Sequence, residues 1–224
     1  MKTKIISLQF AYFLRDIVER PDLEFSSLNS KMLNVFDAMP QILPIPRELP
    51  PDVPVMVLKS SSGEYSCNIS RSRIDFFYNR IDESKSNTAI LSDFNAKISG
   101  LTSVITSKQE VTRFGMVARY FHHDNAAIHT IRKKFFTSSV DGAEELGLRM
   151  NKPSESHGFK INDIIEVNAV EIQFNGVVHK GVLVQRDINN NVKQSTPINS
   201  EVLKEISQKF ATRIAETEIE RLIK

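Results

Sequence analysis

Tryptophan is absent from the 224-residue sequence, cysteine occurs once and glycine only eight times. A single cysteine excludes an intramolecular disulfide and a cysteine-based zinc site, so we expect Cys67 to be a buried structural thiol in a reducing cytoplasm. The sequence contains no glycine-rich phosphate loop, no set of zinc ligands and no nucleophile elbow. We therefore expect no cofactor and no bound metal.

Long hydrophobic runs are missing as well. No apolar segment approaches the roughly 20 residues that a membrane-spanning helix needs. The opening segment has a short apolar stretch, lacks a small-residue cleavage site and soon reaches Arg15 and Asp16, which favours a strand over a signal peptide. These absences predict a cytoplasmic protein without a membrane partner.

Neither sign of charge is in large excess. The chain has 29 Lys and Arg residues against 27 Asp and Glu residues, a formal net charge of +2. This balance is too even to indicate a nucleic-acid or membrane partner from bulk charge. With 41% hydrophobic and 25% charged residues, the chain can bury a core as one large domain or two domains of about 110 residues.

The order of predicted elements is the same in the two halves. The first half reads as a strand, a short helix, a group of strands and a long helix, at 5–13, 28–39, 55–80 and 88–107. The second half repeats this order at 111–122, 125–136, 161–186 and 200–223. Hydrophobic residues alternate in the strands and recur every three to four residues in the helices.

This repetition predicts an α+β protein made by internal duplication from two β-α-β-β-(β)-α units. The units are expected over residues 1–109 and 110–224, each with its own antiparallel sheet and a long helix across it, or fused into one domain. A helix on a curved sheet is the plan of the TATA-binding-protein-like and helix-grip folds. We expect two stacked units rather than one continuous sheet.

Two connections have strong local signals. Asn175-Gly176 between alternating runs predicts a tight hairpin. Residues 40–54 contain six prolines, which exclude a helix interior or a central strand. Apolar residues alternate with these prolines, so the connector is expected to be ordered and packed against the core through Ile42, Leu43, Ile45 and Leu49.

Residues 113–121, RFGMVARYF, follow a proline-rich connector, a group of strands and a long helix. This segment resembles the Arg-x-Gly-x-x-Arg-Tyr core of a sporadically distributed, uncharacterised bacterial family. The segment DIN at 187–189, before the last helix, is similar to the same family. That family tends to carry an apolar residue and then Asn after Arg-Tyr, whereas this chain has Phe121-His122. Since the family has no assigned chemistry, the resemblance implies fold and bacterial or phage origin only.

Histidines and basic residues are the remaining candidates for a site. Near His122, His123, Asp124 and His129, neighbouring strand residues point to opposite faces, so a strand-end turn is expected rather than a metal site. The basic candidates for binding are Arg71, Arg73, Arg113, Arg119, Arg132, Lys133 and Lys134.

The arginines are spaced so that pairs of them share a face. Arg71 and Arg73 are two residues apart on a predicted strand, and Arg113 and Arg119 are six apart on another. Such rows could contact phosphates, or they could form solvated faces balanced by carboxylates.

No convincing catalytic constellation is visible, so we expect a non-catalytic interaction protein rather than an enzyme. Its partner is expected to be a protein, bound through a sheet face or edge. The alternative is a nucleic-acid-binding protein that uses the arginine rows. An enzyme built from residues scattered along the sequence is a third option, and a homo-oligomer is also left open.

Overall fold

A computed structural model describes residues 3–44, 46–174, 176–191, 193 and 195–223. In this part of the chain, ten antiparallel strands form one sheet. The strands are β1 (Lys4–Leu14), β2 (Gln41–Ile42), β3 (Pro54–Lys59), β4 (Tyr65–Ser70), β5 (Arg73–Asn79), β6 (Val111–His123), β7 (Gly147–Asn151), β8 (Ser154–Ser156), β9 (Phe159–Phe174) and β10 (Val177–Asn190). Their order across the sheet is β2-β3-β4-β5-β1-β6-β10-β9-β7, and β8 also pairs with β9.

The helices pack on one side of this sheet. They are α1 (Pro21–Glu24), α2 (Leu28–Lys31), α3 (Asn87–Thr106), α4 (Ala127–Phe135), α5 (Ser200–Arg213) and α6 (Glu216–Ile223), with a 3-10 turn at Ser138–Val140. Side chains cap both long helices. The Ser86 hydroxyl accepts a hydrogen bond from the Ala89 backbone amide, and the side-chain oxygen of Asn199 accepts one from the Val202 backbone amide. The α+β prediction is confirmed.

The period-2 pattern of β1 sorts its side chains between the two faces. Leu8, Phe10 and Tyr12 are buried beneath the helices, with α3 and α5 in contact above them. Gln9 and Phe13 point to the opposite face, which we call the open face because no helix of the described residues covers it. The large buried side chains of β1 therefore lie on the helix side.

The expectation of two separate sheets is wrong, because β1 pairs with β6 and joins the strands of both halves. In two separate sheets, β1 and β6 would each be a long edge strand with unpaired backbone groups, and such edges are prone to aggregation. Their pairing in register from Ser7 to Phe13 satisfies these groups.

The closing helix is broken, although the sequence predicted one helix over 200–223. The Tyr120 hydroxyl donates a hydrogen bond to the carbonyl oxygen of Ile214, directly after α5, and α6 begins at Glu216. The hairpin between β9 and β10 is present, with Gly176 at φ +78°. Asn175, the other residue of that predicted turn, lies outside the described residues.

The proline-rich connector contacts the rest of the protein through its backbone more than through its apolar side chains. Ile42 and Leu49 remain 52% and 42% exposed, which contradicts their predicted packing against the core. Pairing of β2 with β3 holds one end of the connector. The Arg71 guanidinium donates to the carbonyl oxygens of Arg47 and Leu49, both at 2.8 Å. Ile45, also predicted to pack, is not among the described residues.

We expect Tyr120→Phe to lower the free energy of unfolding by about 1–3 kcal/mol, because it removes the donor of a buried hydrogen bond and leaves the Ile214 carbonyl unsatisfied. Tyr78→Phe is the matched control. The Tyr78 hydroxyl is buried and has no hydrogen-bond partner among the described residues, so its loss should be neutral or stabilising. Urea unfolding of both variants measures the difference, and equal effects would contradict this account.

Candidate functional site

The open face is built by strand register, since residues paired directly across neighbouring strands point to the same side. Three rows of its side chains cross the centre of the sheet. One runs through Arg73, Phe13 and Arg113, a second through Asp75, Ala11, Gly115 and Asn189, and a third through Phe77, Gln9, Val117 and Asp187. These rows contain two phenylalanines and two arginines, residue types that are enriched in protein interfaces, beside two aspartates, which are depleted there.

Phe13 lies between two arginines from the neighbouring strands. The guanidinium carbon of Arg73 is 4.7 Å from the centre of the Phe13 ring, and that of Arg113 is 4.3 Å from the same centre. Both distances are within the range of cation–π contacts. We call Phe13, Arg73 and Arg113 the arginine clamp.

The two arginines of the clamp differ in their charge partners. Arg73 donates a hydrogen bond to the Asp75 carboxylate at 2.7 Å. No carboxylate of the described residues pairs with Arg113, and burial together with the charge of Arg73 lowers the pKa of Arg113. The Nε atoms of both arginines are buried without a hydrogen-bond partner in the described part of the chain. The clamp therefore has unused donors and an unpaired positive charge.

Arg119 occupies another part of the open face, in a polar environment. Its guanidinium donates to the side-chain oxygen of Gln185 at 2.7 Å and to the Ser7 hydroxyl at 3.4 Å. Further along, side-chain amides form a hydrogen-bonded ladder across three strands, through Asn151, Asn162, Asn189 and the carboxylate of Asp187. Amides that both donate and accept suit this face to recognition of polar groups.

The other predicted basic residues lie off the open face. Arg71 is in the turn between β4 and β5 rather than on a strand, so the prediction that it shares a strand face with Arg73 is wrong. Its guanidinium is occupied by the connector carbonyls. Arg132 pairs with Asp141 at 3.3 Å, and the Lys134 amine donates to the Arg221 carbonyl at 2.7 Å. Lys133 is exposed on α4.

The histidines are not gathered around a common point. The Nδ1 atom of His122 is 3.0 Å from the Thr3 hydroxyl, whereas His123 lies edge to face with His179 at a ring separation of 6.0 Å. Within the residues that the structure describes, no three His, Cys, Asp or Glu side chains form a group that could hold a metal ion.

One chemically suggestive contact chain was missed by sequence reasoning, because its members come from a strand turn and a distant helix. Ser156 Oγ lies 2.9 Å from His157 Nδ1, and His157 Nε2 lies 2.9 Å from a Glu205 oxygen. The Lys209 amine also donates to Ser156 Oγ at 3.1 Å. Because the Ser156 side chain is buried and already contacted on two sides, this chain fastens the β8–β9 turn to α5.

A concave region of about 1020 Å³ lies between α4 and the ends of β9 and β10. Its lining includes Arg132, Glu145, Asn168 and Lys180. It is a broad groove rather than an enclosed cavity, and the ion pair of Lys180 with Glu171 at 2.9 Å is part of its lining.

No protein-family model matches the chain, and no curated protein sequence matches it. Within the segment that resembles the uncharacterised bacterial family, three residues separate Gly115 from Arg119 where the core of that family has two. None of the helices in the described residues is long and apolar enough to span a membrane.

A buried ion cluster provides a contrast with the clamp. Asp163 is 3% exposed, and Arg186 donates two hydrogen bonds of 2.7 Å to its carboxylate. Arg213 adds a third contact at 3.2 Å from α5, and Arg186 donates to the Arg213 carbonyl. Two arginines share one carboxylate here, but each of them contacts it directly, and direct contact with an opposite charge is the condition under which buried ions are tolerated.

The clamp and this cluster should respond differently to loss of an arginine. We expect Arg186→Gln to lower the free energy of unfolding by about 3–5 kcal/mol, since it leaves the buried Asp163 carboxylate poorly compensated. Arg113→Gln should change it by less than about 1 kcal/mol, because relief of an unpaired charge offsets the lost ring contact. Chemical denaturation measures both, and a large loss for Arg113→Gln would show that the clamp is structural.

Proposed function

We propose that the protein is a non-catalytic interaction protein that binds a protein partner through the open face. One observation carries the proposal: the helix-free side of the sheet presents half-buried aromatic residues and arginines, and no helix of the described residues covers it. An antiparallel sheet can leave one face to solvent, but solvent alone does not explain Phe13, Phe77 and Phe121 there. Aromatic residues and arginine are the types enriched in protein interfaces.

The distribution of charge supports a protein partner over nucleic acid. Three of the seven basic candidates lie on the open face, namely Arg73, Arg113 and Arg119. The carboxylates of Asp75 and Asp187 stand among them on the same face. A phosphate backbone would be repelled by these carboxylates, whereas a protein surface with groups of both signs can match them.

We also infer that the two halves arose by internal duplication, in a TATA-binding-protein-like arrangement. The strand order supports this, because β1 is followed outwards by β5 and β4, just as β6 is followed by β10 and β9. The central pair of β1 and β6 is Gln9 opposite Val117. A twofold axis through this pair exchanges β1 with β6 and preserves their register from Ser7 to Ala11.

Equivalent residues in the two halves make equivalent contacts. The Tyr12 hydroxyl donates to the Ile98 carbonyl of α3, and the Tyr120 hydroxyl donates to the Ile214 carbonyl after α5. Each tyrosine is followed by a phenylalanine, Phe13 or Phe121, on the open face. A duplicated sheet of this kind would present two related ends of one binding face to the partner.

Site-specific cross-linking tests the proposed face. A photoreactive amino acid at position 117, in the centre of the open face, should capture a protein partner in cells, whereas the same group at position 133 on α4 should not. Mass spectrometry identifies what is captured. If the captured molecule is a second copy of this chain, light scattering of the purified protein should show an oligomer.

Affinity measurements with the purified partner distinguish binding through the open face from binding through the β2 edge of the sheet. We expect Val117→Glu to reduce affinity at least tenfold, because it places a charge in the interface, with Lys133→Glu as the matched charge change off the face. Ile42→Glu, at the β2 edge, should have little effect. A loss caused by Ile42→Glu and not by Val117→Glu would place binding at the edge.

Salt dependence distinguishes the two classes of partner. Affinity should fall by less than about tenfold between roughly 50 and 200 mM salt, whereas six to ten phosphate contacts would cost about 10³–10⁵. Nucleic acid bound to the native protein, lost on Arg73→Ala with Arg113→Ala and Arg119→Ala in a variant that still folds, would overturn the protein-partner proposal.

A further inference from the structure

We propose that the arginine clamp is a receptor for a single carboxylate group supplied by the protein partner, an inference that rests on the proposed function. Arg73 and Arg113 flank Phe13 from the two strands beside it, in direct register. Contact with the ring holds both guanidinium groups in place before any ligand arrives. Binding then loses less side-chain freedom than it would with two solvated arginines.

The unused hydrogen-bonding capacity of the clamp points to an anionic ligand. Asp75 compensates one of the two positive charges. Arg113 keeps its charge, although it is partly buried and faces another cation. The buried Nε donors of both arginines have no acceptor among the described residues. The terminal nitrogens of Arg113 make no hydrogen bond to the described residues and are not buried, so they can donate to an incoming anion.

The fold does not need this arrangement, as the other end of the same strand pair shows. Phe121 lies next to Leu183 and Lys4 in register, where Phe13 has its two arginines. Lys4 is paired with Glu83, and the ring of Phe121 packs on Gly181. In that row the cation, Lys4, has a carboxylate partner, while Arg119 in the next row donates to the neutral Gln185 and Ser7 and makes no cation–π contact with Phe121 among the described residues. The clamp is a property of one end of the face.

The charge of the clamp selects a carboxylate over a phosphate. One cation is left after pairing of Arg73 with Asp75, which matches the single charge of a carboxylate. A phosphate ester carries about −1.5 to −2 charges at neutral pH, which exceeds the one remaining positive charge. The planar guanidinium group binds carboxylate oxygens in pairs. The carboxylate can come from a Glu or Asp side chain or from a chain terminus.

Arginine side-chain NMR of the whole protein tests the proposal without the partner. The probes are N-acetyl-glutamate N-methylamide for a side-chain carboxylate, N-acetyl-alanine for a terminal carboxylate, the glutamine analogue of the first as a neutral match, and inorganic phosphate. We expect the Nε resonances of Arg73 and Arg113 to shift saturably with at least one carboxylate probe. The carboxylate probe that binds more tightly shows whether the partner supplies a side-chain or a terminal carboxylate.

Variants of the clamp and of a matched arginine complete the test. Arg113→Gln should weaken binding of the carboxylate probe at least tenfold. Arg149→Gln should leave it within about twofold, because Arg149 lies on the same face but is already paired with Glu166 at 3.0 Å. Thermal unfolding confirms that both variants are folded.

Three results would overturn the proposal of a carboxylate receptor. The first is the lack of a saturable shift up to about 100 mM probe, a concentration well above a millimolar dissociation constant. The others are an equal shift with the glutamine analogue, and phosphate binding more than tenfold tighter than either carboxylate probe. Failure of the proposed function has a different signature. If a carboxylate probe binds the clamp but cross-linking places the partner elsewhere, the proposal that the partner binds the open face is wrong. The clamp is then an anion site without that role. If the partner binds the open face of the Arg113→Gln variant with unchanged affinity, the clamp is not its carboxylate receptor, and the proposal of an open-face interface stands.

Discussion

Antiparallel pairing of β1 with β6 is the interaction on which the rest of the structure depends. Each strand is the innermost one of its half, and their backbone hydrogen bonds turn two groups of strands into one ten-stranded sheet. The same pairing brings α3 and α5 into contact above it. Because all helices then lie on one side, the opposite side is left as a continuous open face.

Buried asparagines help to secure this arrangement. The Asn87 side chain accepts from the Ile5 amide at 2.9 Å and donates to the Thr3 carbonyl at 2.6 Å. Asn190 does the same for the Phe114 amide and the Thr112 carbonyl, at 2.9 and 3.0 Å. Each side-chain amide makes the two hydrogen bonds that a neighbouring strand would otherwise make. The backbone N–H and C=O groups next to the core therefore have partners without water.

The two faces of the sheet differ in how the charges of their arginines are compensated. On the helix side, Arg186 and Arg213 both contact the buried Asp163 carboxylate. On the open face, Arg113 stays unpaired beside Arg73. Local departures from good packing and pairing are expected where a protein keeps a binding surface, since stability alone would remove them. This contrast connects the architecture with the proposed role in recognition.

Local sequence patterns are enough to predict the α+β class and the position of most elements, because the period-2 and helical patterns and the helix caps each involve residues close together in the chain. Helix α3, predicted over 88–107, spans Asn87–Thr106, and Arg113 and Arg119 share a strand face as their spacing predicted. Local patterns do not predict that the strands form one sheet, that the last helix breaks at Ile214 or that Phe13 lies between two arginines. These features depend on pairing between segments far apart in the chain, where burial and backbone hydrogen bonding of the whole fold select the register.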